Sequence, residues 1–437
     1  MREEIVTLQF GEFSNYVGAH YWNLQAELLR LAEAGGGDAA ASAAAAAARQ
    51  LDAGVLFRDA PAAGPRTPRL LLFDASGALG GLPLDVAAEA PADAAGVATW
   101  GGAAEVHRAP PAPRSGFLQQ RHLGADAGEY EGEEGEAEEE GGGGGGGEVG
   151  EAVAALTPLE RAARALDAPG GVRAFTDFLS APLHPRAAHL LPGVWRGDPV
   201  LRGWTDAGGA FAGGEAREGA AEGVRRLAEE ADRLGGFQVF AEDLAAWGRG
   251  AAEVLGDLRD AYGPAAPVVL FALRPGGGNS STGDEARARL AEGLSAAVLA
   301  PRCDVYVPVA LPAHAALPAL RWRGGDPYHE AAAVAAALDA ATTPCRLAAG
   351  GGGAGRATAG ELAALLAGRY RSPLAALAAA LPCPALPADA RAAGAAADPR
   401  VDHRHEGGGR AAAAPPPPFT AAAASFTPGL GAPAGDA

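Results

Sequence analysis

The sequence predicts an α/β fold in which a parallel sheet is flanked by helices, and three observations predict it. Short, wholly apolar, β-prone runs recur at "LLLF" (70–73), "PVVLFAL" (267–273) and "VYVPVAL" (305–311), as strands buried on both faces require. Stretches of helical period separate them, and strand-to-helix junctions carry glycine, as at Gly11.

The elements follow in order. "EEIVTLQFGEFSNYVGAHYWNLQ" (3–25) opens as a strand in which Ile5, Val6, Leu8 and Phe10 are apolar, and Gly11 ends it. Val17, Tyr21, Trp22 and Leu24 then recur at helical spacing, so a helix is predicted to begin near Ser14 or Asn15, both good caps. After an alanine run, "TPRLLLFDASGALGGL" (67–82) gives a buried-type strand over 70–73 that ends at Asp74 and a glycine turn, which completes a βαβ order. Residues 157–186 are predicted mostly helical as far as Pro182. Residues 222–263 read as helix, strand (237–240), loop and helix. Strands at 267–273 and 303–311 follow, with a helix over 285–299 between them.

Composition bounds the rest. The chain has 437 residues, 64 of them Gly and 34 Pro, so its folded part is smaller than its length suggests. The formal charge of -18 argues against a nucleic-acid surface or a polybasic membrane patch. Eleven acidic residues and seven consecutive glycines lie between Asp126 and Glu151, with no basic residue among them. This segment reads as a disordered insert that folding does not need. Lysine is absent, and Cys303, Cys345 and Cys383 show no C-x-x-C spacing, so neither a disulfide framework nor a zinc site is indicated. Glu3 and Glu4 at the start fit neither a secretory signal nor an acid-poor presequence, and no strongly apolar run is long enough to span a bilayer. The expected organisation is 2–120 and 156–346 as two parts of one α/β domain, 121–155 as the acidic insert, 347–391 as a partial second domain, and 392–437 as a disordered tail.

Several motifs carry a resemblance. "REEIVTLQFGEFSNYVGAHYWN" (2–23) resembles the first strand, phosphate loop and first helix of tubulin, and "TPRLLLFDASG" (67–77) resembles its next phosphate loop. "LGGFQVF" (234–240) and "GRGAAEVLGDLRDAYG" (248–263) resemble the strand and helix that flank its glycine-rich signature. "FTDFLSAPLHPR" (175–186) and "ALDAATTPCRL" (337–347) are more similar to the Misato family, tubulin-related proteins of mitochondrial distribution and morphology. The resemblance spans roughly residues 2–385. It implies a tubulin-like nucleotide-binding-type domain and a factor in mitochondrial distribution, morphology or fusion, and inheritance. It also implies protein partners on the mitochondrial surface or tubulin, and a location in the cytoplasm, peripheral to the mitochondrial outer membrane.

Carried over residue by residue, the resemblance places a nucleotide site at Gly11, Glu12, Asn15, Asp74, Gly248, Gly250 and Tyr328, with its chemistry thinned out. Glu12 stands where tubulin offers a neutral Gln, and Ser14 replaces a Gly. "LAAWGRG" (244–250) replaces G-G-G-T-G-S-G, keeping glycine only at Gly248 and Gly250, with Trp247 at the small hydroxyl position. Ser76 replaces an acid. Tyr328 matches the tyrosine that stacks on guanine, with Ala331 in place of its polar companion. In "AGELAALL" (359–366), Glu361 keeps the first acidic position and Ala364 replaces the Glu that promotes hydrolysis in α-tubulin. No catalytic residue, metal or bound GTP is therefore expected, against the alternative of a GTP-binding, filament-forming or tubulin-assembly protein. The residues themselves leave other readings open. Gly11, Asn15 and Gly18 also suit a plain strand-to-helix turn, Tyr328 a half-buried core tyrosine, and "LHPR" (183–186) an interaction or packing corner. The glycine run at 350–353 suits a linker, "DHRHE" (402–406) a solvated tail, and "NSS" (279–281) an unused sequon.

Overall fold

The computed structural model describes residues 2–33, 45–59, 65–82, 114–126, 157–204, 211, 214–276, 282–311, 323–348, 356–368, 371–380 and 423–428. Six strands form one parallel sheet: β1 (Glu4–Phe10), β2 (Leu70–Ser76), β3 (Ala188–Trp195), β4 (Leu234–Glu242), β5 (Val268–Arg274) and β6 (Val305–Ala310), in the spatial order β3-β2-β1-β4-β5-β6. The expected α/β class is observed. The chain runs outward from β1 to β3 and then restarts beside β1 with β4, so a topological switch point falls between β1 and β4.

Alternation along the strands explains the two layers of helices. Ile5, Leu70, Leu72, Phe240, Phe271 and Val305 point to one face, where they join α1 (Glu12–Glu33), α7 (Pro327–Thr342) and α8 (Ala359–Ala367). Val6, Leu8, Leu71, Phe73, Val239 and Leu270 point to the other, against α4 (Gly214–Glu229) and α5 (Ala246–Tyr262). Two shorter helices, α2 (Gly116–Asp126) and α3 (Pro158–Leu166), and α6 (Thr282–Leu299) are also present. None of these helices is long and apolar enough to cross a membrane.

Close packing uses missing side chains. A Cβ on Gly18 would overlap the Gln9 amide, and one on Gly223 would lie 2.7 Å from Leu71 Cδ2, so these glycines let helices sit down on the sheet. Gly250 faces the Phe211 ring in the same way. Gly250→Ala is expected to lower stability by about 1–3 kcal/mol through overpacking, read as a shifted urea midpoint.

Several boundaries differ from the sequence reading. Helix α1 starts at Glu12, not at Ser14 or Asn15, because Gly11 turns the chain in one step at φ +97. Strand β2 continues past Asp74 to Ser76. The helical reading of 157–186 holds only for α3. Pro169 and Gly170 (φ +73) break the chain there, and Phe175–Asp177 is a single 3-10 turn. Strand β3 is absent from the sequence reading because Pro192 and Gly193 interrupt it, which its edge position tolerates.

The expected second domain over 347–391 is not separate where it is described. Ala359, Leu362, Ala363 and Leu366 of α8 join the core of the main sheet, and Leu374 bridges to Tyr306 of β6 just before β7 (Ala375–Ala380). Within the expected tail, β8 (Ala423–Pro428) pairs antiparallel with β7, and the rest of 392–437 lies outside the described residues. The expected insert at 121–155 begins late, since residues 121–126 belong to α2. The remainder of the insert, Cys383 and the motifs at 279–281, 350–353 and 402–406 lie outside the described residues.

Candidate functional site

In an open parallel sheet, ligands bind beyond the carboxyl ends of the strands at the switch point, here between β1 and β4. Gly11 leaves β1 at this place, Asp74 comes from β2, and Glu242 ends β4. Helix α1 aims its first N–H groups into the crevice, where a phosphate would take them up. One of those donors already has an acceptor. The Phe13 N–H donates to the Glu242 carboxylate, which also lies 2.9 Å from where a Gly11 Cβ would stand. The Phe13 N–H is therefore not free to receive a phosphate. The indole of Trp247, 4% exposed, closes the other side, with Cδ1 2.6 Å from the same Cβ position.

The predicted residues take these places. Asn15 and Asp74 are brought together: Asn15 Nδ2 donates to Asp74 Oδ2 at 2.7 Å, and the Ala75 N–H donates to Asp74 Oδ1 at 2.8 Å. Burial pushes the Asp74 carboxyl up to about 7, with those two hydrogen bonds opposing and the Glu12 charge adding to the rise. Burial pushes Glu242 up to about 8, the Phe13 N–H opposing and the Asp74 and Glu12 charges adding. Glu12 does not present an uncompensated charge, as the sequence suggested, because it is ion-paired with Arg196, which also donates to the Arg173 carbonyl at 2.9 Å. Gly248 and Gly250 do not face the crevice loop. A Cβ on Gly248 would overlap the Asp243 carbonyl and lie 2.6 Å from the Trp204 ring, so both positions are packing glycines.

Tyr328, at the start of α7, stands in a cluster of protein rings. It is 4.9 Å from Phe178 and 4.9 Å from His20, and His20 Nε2 is 2.9 Å from the Tyr328 carbonyl. Phe178, 2% exposed, also packs on Tyr16. Asn23 fastens this segment to α1 by donating to the Phe178 carbonyl at 2.8 Å and accepting from the Ser180 and Ala181 N–H groups at 2.8 and 3.0 Å. Ala331, fully buried, offers no polar companion. Helix α8, with Glu361 and Ala364, lies at the opposite end of the sheet, Gly360 being beside Pro267 at the foot of β5. Glu361 is spent on a capping box with Thr358.

Sequence reasoning missed Glu242, Arg196 and Phe178, together with a buried network at the ends of β4–β6. There Arg274 donates to both oxygens of Asp243 at 3.0 and 2.8 Å, and Tyr306 OH donates to Asp243 at 2.5 Å. The motif "FAED" (240–243) was the available signal, because two acids directly after a wholly apolar strand require partners. Among the described residues no group of three His, Cys, Asp or Glu could hold a metal ion. Burial pushes the thiols of Cys303 and Cys345 up, the latter to about 11, which leaves both inert as nucleophiles at neutral pH.

A doubly wound parallel sheet with a strand–glycine–helix crevice at its switch point is the architecture of a tubulin-like domain. Comparison with known proteins agrees. Residues 3–123 match the Misato segment II tubulin-like domain, and residues 167–347 match a tubulin domain. Over these two segments the chain is similar to the Misato family of tubulin-like proteins. Protein misato homolog 1 of Danio rerio is 27% identical over 362 residues, covering 79% of this chain and 59% of the relative. Protein DML1 of Gibberella zeae is 27% identical over 361 residues, covering 79% and 61%. The misato homolog 1 of Macaca fascicularis is 25% identical over 379 residues, covering 79% and 60%. The chain spans about three fifths of the length of these relatives.

Proposed function

We propose that this chain is a non-enzymatic tubulin-like factor that neither holds GTP with useful affinity nor hydrolyses it. The observation that carries the reading is the Glu242 carboxylate on the Phe13 N–H, with Trp247 against Gly11. A carboxyl group that already occupies a helix N–H, and an indole, stand where a nucleotide phosphate would need donors and space. Phe178 and His20 beside Tyr328 support it at the base end, since the tyrosine ring is already in contact with two protein rings. The residues present do not fit a guanine nucleotide.

The role follows from the family. The similarity to Misato proteins supports a factor of mitochondrial distribution, morphology or fusion, and inheritance, working in the cytoplasm or peripherally at the mitochondrial outer membrane through protein partners there. Depletion in cells should scatter or fragment mitochondria, and imaging of a tagged chain should place it at their surface; an unchanged network would count against the role. One observation favours a second reading, a tubulin-assembly partner. The open cavity of about 690 Å³ beside α8, lined by Pro267, Pro301, Gly360, Ala364 and Pro373, includes the position of Ala364, where the resemblance places the hydrolysis-promoting Glu of α-tubulin. Capture of purified tubulin, lost on altering Leu365, which is 74% exposed on α8, would favour it.

Calorimetric titration of the full chain with GTP and magnesium tests the nucleotide reading, and no binding heat is expected. Glu12→Gln should change nothing, because Glu242 and Trp247 stay in place when that charge is removed. Micromolar binding by the unmodified chain would overturn the reading.

A further inference from the structure

The "LHPR" corner (183–186) has no part in the crevice, and it lies at the opposite, amino-terminal edge of the sheet, where it leads into β3. Three other elements bring cations to it. Arg58 follows the 3-10 turn Ala53–Val55, Arg226 lies in the last turn of α4, and Arg69 precedes β2. Arg226 Nη2 donates to the Arg186 carbonyl at 2.9 Å, which ties α4 to the corner. The Arg186 N–H donates to His184 Nδ1 at 3.1 Å, so the neutral imidazole carries its proton on Nε2 and offers a donor there.

The carboxylates facing this group are Glu230, 2.6 Å from Arg58, and Glu4, 2.8 Å from Arg69. Arg186 and Arg226 have no carboxylate partner among the described residues. The Nε groups of Arg58 and Arg226 are enclosed without an acceptor. At His184 the three guanidiniums of Arg58, Arg186 and Arg226 stand against the one carboxylate of Glu230, an excess of two positive charges. Such an arrangement costs free energy unless an anion joins it.

We propose that this corner, built from His184, Arg186, Arg58 and Arg226, is a binding site for a phosphate group, either free on a small molecule or carried by a lipid headgroup. Guanidinium forks match phosphate oxygens in pairs, a phosphate dianion balances the two excess charges, and the His184 Nε2–H supplies a neutral donor. The net charge of -18 does not oppose this at contact range, because charges farther than about 10 Å are largely screened in salt. The proximity of the charges is also registered by His184, which burial first, and then the charges of Arg58, Arg226 and Arg186, push down to about 4.

The test is an NMR titration of the full chain with inorganic phosphate, paired with cosedimentation on vesicles of phosphatidylcholine with and without phosphatidate. Phosphate is expected to move the His184 midpoint upward from about 4, because a bound anion favours the imidazolium. Arg226→Gln and Arg186→Gln should each weaken binding at least tenfold. Arg186 is exposed, so its variant should fold normally, and Arg164→Gln on α3 serves as a control without effect. Phosphatidate-dependent cosedimentation that these variants abolish would assign a lipid source, and binding of free phosphate alone would assign a small molecule. Failure of both ligands, or binding that survives both substitutions, would overturn the proposal.

Discussion

Glu4→Ala is expected to destabilise the fold by about 3–5 kcal/mol, among the largest effects of any single substitution in the sheet. The Glu4 and Arg69 side chains are 1% and 4% exposed and meet at 2.8 Å between the first two strands. Glu4 also accepts the Asp232 N–H at 3.1 Å, so its removal strands a buried guanidinium and a backbone donor together. Burial nevertheless pushes the Glu4 carboxyl up, with Arg69 only partly opposing, which means that the pair does not fully offset its own desolvation. A discriminating comparison follows. The double variant Glu4→Leu with Arg69→Met should recover most of the loss, because it removes both charges and fills their volume. Equilibrium urea unfolding of the parent chain and the two variants checks this. A double variant as unstable as Glu4→Ala would show that the pair stabilises the fold beyond its own desolvation.

The fold was legible where the sequence is redundant. Runs such as 70–73 and 267–273 are apolar at every position, and only a strand buried on both faces uses them, so the sheet and its α/β class follow from them. Strand β3 was not legible, since Pro192 and Gly193 are tolerable only at an edge, and edge position is a property of the assembled sheet. The crevice was half legible. Gly11, Asn15 and Asp74 are local to two junctions, and the structure does bring Asn15 onto Asp74. The groups that fill the crevice come from far along the chain: Glu242 lies 229 residues from the Phe13 N–H it accepts, and no periodicity reports such a contact. Glu12 was misread for the same reason, because its partner Arg196 is 184 residues away.

The filled crevice sets the last expectation, a stability that falls as pH rises through neutrality. Asp74 and Glu242 titrate at about 7 and about 8 in the folded chain and near 4 when unfolded. Between those limits the folded state holds protons that the unfolded state has released, so rising pH favours unfolding. Below about pH 6.5 the trend is opposed. His20 and His184, pushed down to about 4, and His189, also lowered by burial, stay neutral in the fold while the unfolded chain takes up their protons. Above that pH the opposition fades, because the unfolded imidazoles are half-protonated at about pH 6.5 and nearly all neutral by about pH 8. At about 1.4 kcal/mol per proton and pH unit, the carboxyls outweigh the fading histidine effect, and stability should drop on the order of 1–2 kcal/mol between pH 6.5 and 8. Glu242, pushed up to about 8, holds its proton through more of this interval than Asp74 at about 7, so Glu242→Gln should remove the larger part of this slope and Asp74→Asn the rest. Urea midpoints at pH 6.5, 7 and 8 for the parent chain and both variants read this out. A flat profile in the parent would mean that both carboxyls are ionised in the fold, and the crevice would then hold two unneutralised charges at the start of α1.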